Sequence, residues 1–113
     1  MDMKPAIDSI FVYGTLQPGE VNERYFDRFD GVWTSGYVLG SLENKGWGSE
    51  HGFPGIKLDD NGDRVTGSLF TSADIDEILV LLDELEGADY RRVVTVAYLE
   101  NNTEQLAFIY ELA

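Results

Sequence analysis

The chain has no cysteine and a single histidine. A disulfide framework and a thiolate nucleophile are both excluded, and His51 has no companion ligand for a metal site and no thiol to activate. Basic residues are scarce: eight Lys and Arg stand against 21 Asp and Glu, a formal net charge of −13. Such a chain repels the phosphates of nucleic acid and of anionic membrane surfaces, so neither is expected as a partner. The acids are scattered and form no block. They read as a solvated surface, screened in a salty cytoplasm, before they read as a docking face for a cationic partner. No apolar run approaches the ~20 residues that span a bilayer. Met1-Asp2-Met3-Lys4-Pro5 lacks the basic-then-apolar order of a signal peptide. The expectation is a cytoplasmic protein.

The chain does carry the material of a core. Of its 113 residues 43% are apolar and 12% aromatic, enough for one folded domain over residues 1–113. Residues 9–13 read as a short buried strand. Val21, Tyr25, Phe26 and Phe29 fall near helical spacing, which predicts a short helix over 20–29. Residues 32–42 mix β-branched and aromatic side chains with Gly36 and Gly40, a strand with a bulge or bend. A glycine-rich loop over 43–52 precedes an extended stretch at 53–58. Asn61-Gly62 is a hairpin turn signal, with 64–70 as the returning strand. Ile75, Ile78, Leu79, Leu82 and Leu85 form the stripe of the clearest helix. Ser72 or Asp74 can cap it, Asp74 and Glu77 are spaced as a capping box, and Gly87 stands at its C-terminal cap. Strands follow at 90–99 and 106–112, joined by Asn101-Asn102. About six strands and two helices without β-α alternation predict an α+β fold: a small, mostly antiparallel β-barrel with packed helices.

Two segments bear on function. Phe11-Val12-Tyr13-Gly14-Thr15-Leu16 is an apolar strand that stops at a glycine, followed by a hydroxyl residue and Gln17-Pro18-Gly19. A strand ending this way exposes backbone N–H groups with little side chain in front of them, a means of holding a carboxylate or phosphate. The second segment is Leu81-Leu82-Asp83-Glu84-Leu85-Glu86-Gly87-Ala88-Asp89-Tyr90-Arg91-Arg92. Glu86 is the last residue before the helix-ending glycine. It faces the negative end of the helix dipole, which opposes ionisation, and partial burial acts in the same direction. A carboxyl so placed is suited to moving protons near neutral pH. The plainer reading is a solvated helix-end acid paired with Arg91 or Arg92.

Tyr13-Gly14-Thr15-Leu16 resembles the substrate loop of the gamma-glutamylcyclotransferase-like (AIG2-like) family. Leu82-Asp83-Glu84-Leu85-Glu86-Gly87, with Tyr90-Arg91-Arg92 after it, is similar to that family's LD-x-x-E-G and Y-x-R segment. Phe53-Pro54-Gly55 resembles its aromatic-Pro-Gly element. Val65-Thr66-Gly67-Ser68-Leu69-Phe70 and Ala107-Phe108-Ile109-Tyr110 resemble two of its strands. The five elements occur in the family's order from Ile10 onward. The resemblance implies a barrel with a cavity at one end, a substrate loop at Tyr13, Gly14, Thr15 and Leu16, and a catalytic acid at Glu86. It places Tyr110 on a tyrosine that lines the cavity in some relatives. The stretch 43–52, with Trp47 and His51, is longer and more polar than the loop usual in the family, which bears on substrate choice.

The reaction implied is cyclisation of a gamma-glutamyl compound to 5-oxoproline with release of its amine. Nucleophile and electrophile then lie in one molecule, so the main task is to fold that molecule into an attacking shape. No cofactor or metal is implied. One carboxyl, Glu86, can take a proton from the attacking amine and return it to the leaving amine. The N–H groups of Gly14, Thr15 and Leu16 can hold the substrate carboxylate or the developing oxyanion. Tyr13, Tyr90 and Tyr110 are candidate walls and hydroxyl donors. The partner is thus a small gamma-glutamyl molecule, and the protein a monomer or homodimer. The alternative is a non-catalytic small-molecule binding module on the same fold. Asp59-Asp60-Asn61-Gly62-Asp63 resembles the start of a calcium loop, but Arg64 stands where the loop glycine belongs and Phe70 where the final Glu belongs. Trp33 can stack on a ligand or anchor the core.

Overall fold

A computed structural model of the chain describes residues 7–13, 26–43 and 55–112. Its strands are β1 (Ser9–Val12), β2 (Val32–Glu43), β3 (Gly55–Leu58), β4 (Asp63–Thr71), β5 (Tyr90–Leu99) and β6 (Glu104–Leu112), with one α-helix among the described residues, α1 (Ile75–Glu86). Strands β2, β4, β1, β6 and β5 follow one another side by side, and β5 pairs back to β2 to close a barrel. All pairings are antiparallel except β1 with β6, where Ile10 faces Phe108 in parallel. The expected α+β barrel is therefore present, with mixed strand pairing. No helix among the described residues is long and apolar enough to cross a membrane.

Closure depends on Gly36. It faces Leu99, and a Cβ at that position would lie 2.5 Å from the Tyr98 carbonyl oxygen. Only a residue without a side chain lets β2 and β5 approach this closely. Beside the seam Tyr37 and Tyr98 stack with ring centroids 5.1 Å apart. Of the bulge or bend expected in β2, the bulge is absent from its pairing with β4. Its register against β4 runs unbroken from Val32 opposite Thr71 to Gly40 opposite Asp63.

Strand alternation divides the core in two. Phe11, Val38, Ile56, Val65, Leu69, Ala97, Leu99, Ala107 and Ile109 fill the barrel, with Tyr13 packed against them. Ile10, Val12, Phe70 and Tyr110 point outward and are covered by α1 and Phe26. β1 is buried along its whole length because it has core on both faces. Trp33 packs among Phe26 and Phe70, with centroids 5.1 and 4.8 Å away, as an aromatic anchor of the outer layer.

The apolar stripe of α1 lies as expected: Ile75, Ile78, Leu79 and Leu82 are buried and Leu85 is half-buried. Each buried side chain contributes about 1.5–3 kcal/mol of transfer free energy before conformational entropy is counted. Asp74 occupies the N-cap position but makes no side-chain capping bond. Ser72 takes the local role instead: its Oγ accepts the Asp74 N–H at 3.0 Å and donates to the Asp30 carbonyl at 2.6 Å. Gly87 ends α1 with φ 68° and ψ −160°, a region essentially reserved for glycine, and its N–H donates to the Asp83 carbonyl.

One expectation is corrected. Asn61-Gly62 does turn, with the Gly62 N–H on the Asp59 carbonyl at 2.8 Å. The strands it joins pair with β2 and not with each other: Leu58 and Asp63 both face Gly40. The described end of the expected 20–29 helix is a turn in which the Phe29 N–H donates to the Phe26 carbonyl at 3.0 Å. The rest of that segment, together with the 44–54 stretch that holds Trp47 and His51, lies outside the described residues.

Candidate active site

Tyr13 follows β1 at one end of the barrel. Its hydroxyl donates to the Tyr110 carbonyl on β6 at 2.7 Å and accepts the Ile56 N–H on β3 at 3.0 Å. One phenol oxygen thus replaces a missing backbone contact between β6 and β3. Burial raises the pKa of this phenol well above the ordinary tyrosine range. The Ile56 N–H opposes that shift, while Glu86, Tyr90 and Glu111 each add to it through their charge. Glu86 therefore lies within electrostatic reach of the Tyr13 hydroxyl. The helix-ending acid thus bears by its charge on the strand-ending tyrosine, 73 positions away in the sequence.

Glu111 stands on the same end and was not among the residues singled out from the sequence. It is 6% exposed. Its Oε2 accepts the Leu58 N–H at 3.2 Å, and its Oε1 accepts from Nε and Nη2 of Arg91 at 2.9 and 2.8 Å. The N–H groups of Ile56 and Leu58, two residues apart on β3, share one edge of that strand. Tyr13 and Glu111 cover that edge with side chains, and Lys57 Nζ adds a bond to the Leu112 carbonyl at 3.2 Å. A sequence signal for Glu111 did exist. Ala107, Ile109 and Glu111 alternate onto one strand face, which leaves a carboxylate on the parity of the apolar interior.

The second tyrosine of β6 serves a different layer. Tyr110 is buried beneath α1, and its hydroxyl donates to Asp83 Oδ1 at 2.6 Å, with the Leu79 carbonyl at 3.4 Å. Arg92 Nη1 donates to Asp83 Oδ2 at 2.8 Å. Burial, then the hydrogen bond to Asp83 and its charge, hold the Tyr110 phenol far above its ordinary pKa against the opposing pull of Arg92. Arg91 and Arg92 thus bind Glu111 and Asp83.

Of the residues expected to form the site, Glu86 and Tyr90 are half-buried and each adds by its charge to the shift of the Tyr13 phenol. The hydroxyl of Tyr110 does not join them, being turned to Asp83. Gly14, Thr15 and Leu16 lie outside the described residues. Among the described residues no group of three or more His, Asp or Glu is arranged to hold a metal ion.

The chain matches the family model described as gamma-glutamyl cyclotransferase, AIG2-like, over residues 10–113. Among solved structures it is similar to an AIG2-like protein of Mus musculus, at 26% identity and TM-score 0.74 over 95% of this chain and 78% of the mouse chain. A protein of Arabidopsis thaliana known from its solution structure is 28% identical at TM-score 0.69, over 92% of this chain and 67% of that one. YkqA of Bacillus subtilis shares the fold at 18% identity and TM-score 0.72; 95% of this chain is covered, and it spans 36% of the Bacillus chain. No curated protein matches. A family match that begins within β1 and runs past β6 takes in nearly every described element, and by it the chain belongs to the AIG2-like gamma-glutamyl cyclotransferase family.

Proposed function

We propose that the protein is a gamma-glutamyl cyclotransferase in which Glu86 is the general acid and base. The alpha-amine of a gamma-glutamyl compound attacks its own gamma-carbonyl. A carbon–nitrogen bond forms within the ring, and the bond from that carbon to the departing amine breaks. The proton lost by the attacking amine passes through the Glu86 carboxyl to the leaving amine, giving 5-oxoproline and a free amine. The ring-closing step is intramolecular, so holding the chain in an attacking shape supplies most of the acceleration. The N–H groups of Gly14, Thr15 and Leu16 bind the glutamyl carboxylate or the oxyanion that develops on the gamma-carbonyl. Tyr90 borders this region. Tyr13 acts mainly as the fixed corner between β1, β3 and β6 from which that loop departs.

The observation that carries this reading is that the charge of Glu86, the motif acid, acts on the hydroxyl of Tyr13, the first residue of the motif loop. Membership in the family supports it.

The test is direct. The protein is incubated with gamma-glutamylamines, gamma-glutamyl amino acids and gamma-glutamyl isopeptides, and 5-oxoproline is measured. Release from at least one class is expected. Glu86→Gln, close to isosteric but unable to carry the proton, is expected to lower kcat by about 100-fold or more. Retention of activity in that variant would overturn the role given to Glu86. Thermal stabilisation by these compounds without product would replace the enzyme with a binding module.

A further inference from the structure

We propose that Asp83, Tyr110 and Arg92 form a lock that positions Glu86, acting through the last turn of α1. The inference rests on the role given to Glu86 above.

The last turn of a helix is its weakest part, because its carbonyls lack intrahelical partners. In α1 the buried anchors, Ile75, Ile78, Leu79 and Leu82, all precede Asp83. Leu85 is only half-buried, and the chain leaves the helix at Gly87 with φ 68°. Apolar packing therefore holds the start and middle of α1 more firmly than the turn that carries Glu86. Asp83 supplies a polar tether. Both carboxylate oxygens are engaged, Oδ1 by the Tyr110 hydroxyl at 2.6 Å and Oδ2 by Arg92 at 2.8 Å, and its main-chain carbonyl accepts the Gly87 N–H.

The two donors come from one rung of the barrel, since Arg92 and Tyr110 face each other across β5 and β6. Arg92 is further held over the Phe108 ring, 5.6 Å from its centroid. Asp83 and Glu86 are three residues apart and so are neighbours on the helix surface. A rotation of α1 that broke the lock would swing Glu86 with it. Tyr110 also holds the Tyr13 hydroxyl through its carbonyl. A single residue of β6 thereby sets the acid from one side and the strand-ending tyrosine from the other.

A merely structural role makes a different prediction. The Asp83–Arg92 pair is well exposed, with side chains 48% and 35% accessible, and exposed pairs add little to stability. The lock should be felt in turnover more than in folding. Four variants test it: Tyr110→Phe, Asp83→Ala, Asp83→Asn and Glu86→Gln. The readouts are kcat and KM for 5-oxoproline release, Tm, and hydrogen exchange at the Gly87 amide. Tyr110→Phe and Asp83→Ala are expected to lower kcat about 10–100-fold with KM within about twofold, the signature of a displaced reacting group. Asp83→Asn keeps an oxygen for the Tyr110 hydroxyl and is expected to recover kcat to within about fivefold of the starting protein. Gly87 exchange should quicken in Tyr110→Phe and Asp83→Ala and stay unchanged in Glu86→Gln.

Unchanged kcat in Tyr110→Phe and Asp83→Ala, alongside an inactive Glu86→Gln, overturns the lock. So does a rise in KM at constant kcat. Should Tyr110→Phe not fold, the Asp83 variants decide. Full activity of Glu86→Gln overturns the role of Glu86 instead, and Gly87 exchange then decides separately whether the lock holds the helix end.

Discussion

The hydroxyl of Tyr13 donates to the carbonyl of Tyr110 at 2.7 Å, while the hydroxyl of Tyr110 points into the other core layer and donates to Asp83 at 2.6 Å. Two phenols of similar chemistry are thus wired in series through one residue of β6, the first inside the barrel and the second beneath α1. Neither hydroxyl proton is offered to a ligand. Both serve to fix the elements that surround the proposed site.

Removing the first link should cost stability. Tyr13→Phe keeps the ring in the barrel but leaves the Ile56 N–H and the Tyr110 carbonyl without their shared partner. Each buried group left unpaired costs about 1–3 kcal/mol, and water entering the mouth offsets part of this, so a loss of about 2–3 kcal/mol is expected. Urea unfolding should show a lower midpoint with an unchanged slope. A loss below about 0.5 kcal/mol would mean that the phenol does not hold β3 to β6.

Glu111 separates two contributions. Glu111→Gln retains an oxygen for the Leu58 N–H but gives up the charge that pairs with Arg91; Glu111→Ala removes both. Arg91 is 64% exposed, so the ion pair is strongly screened and the Gln variant should lose no more than about 1 kcal/mol. The Ala variant should lose about 2–3 kcal/mol through the unpaired Leu58 N–H and the lost packing. Equal losses in the two variants, read by the same unfolding curves, would place the stabilisation in the charge.

Alkaline pH acts on both phenols in one direction. Tyr13 and Tyr110 are raised above the ordinary value of 10.0 in the folded chain. Below pH ~10 both states hold the phenolic proton and the stabilisation is fully present. Above it the unfolded chain releases protons that the folded chain keeps, so stability falls as pH rises, by about 1.4 kcal/mol per pH unit for each tyrosine. Tyr110→Phe should halve the slope of unfolding free energy against pH over this range. An unchanged slope would show that the phenol is free to ionise in the fold.

Much of this was legible in the sequence, and the parts that were not share a cause. The stripe from Ile75 to Leu85 announces α1 because a helix buries one face, and Gly87 announces its end because few other residues adopt that backbone. The pairing of Glu86 with the strand end after Tyr13 rests on motif order, and the charge of Glu86 is felt at the Tyr13 hydroxyl. Partner choice was hidden. Gly36 and Gly40 read as a local bulge or bend, and nothing local states that Gly36 answers to Tyr98, a residue 62 positions away. Asn61-Gly62 carries a local turn signal, and nothing local states that β3 and β4 will both pair with β2. Asp83 reads as a flank residue of the helix until Tyr110 and Arg92 come round from the last two strands to meet it.

Net charge gives a prediction for the proposed reaction. With a net charge of −13, the protein repels a gamma-glutamyl amino acid, whose two carboxylates outweigh its one ammonium, before any contact is made. Binding then rests on short-range donors at the mouth, and salt weakens the repulsion faster than it weakens those contacts. Raising ionic strength from ~0.01 to ~0.15 M shortens the screening length from about 30 to about 8 Å, so the KM for a gamma-glutamyl amino acid should fall while kcat stays constant. The same substrate with its glutamyl alpha-carboxylate amidated should show no such fall, since its remaining carboxylate and its ammonium cancel and leave no net charge to screen. A KM that rises with salt for the carboxylate form would mean that a local cationic group dominates recognition. Arg91 would be the first residue to examine, because it is largely exposed and its partner Glu111 acts on the same Tyr13 hydroxyl that Glu86 reaches.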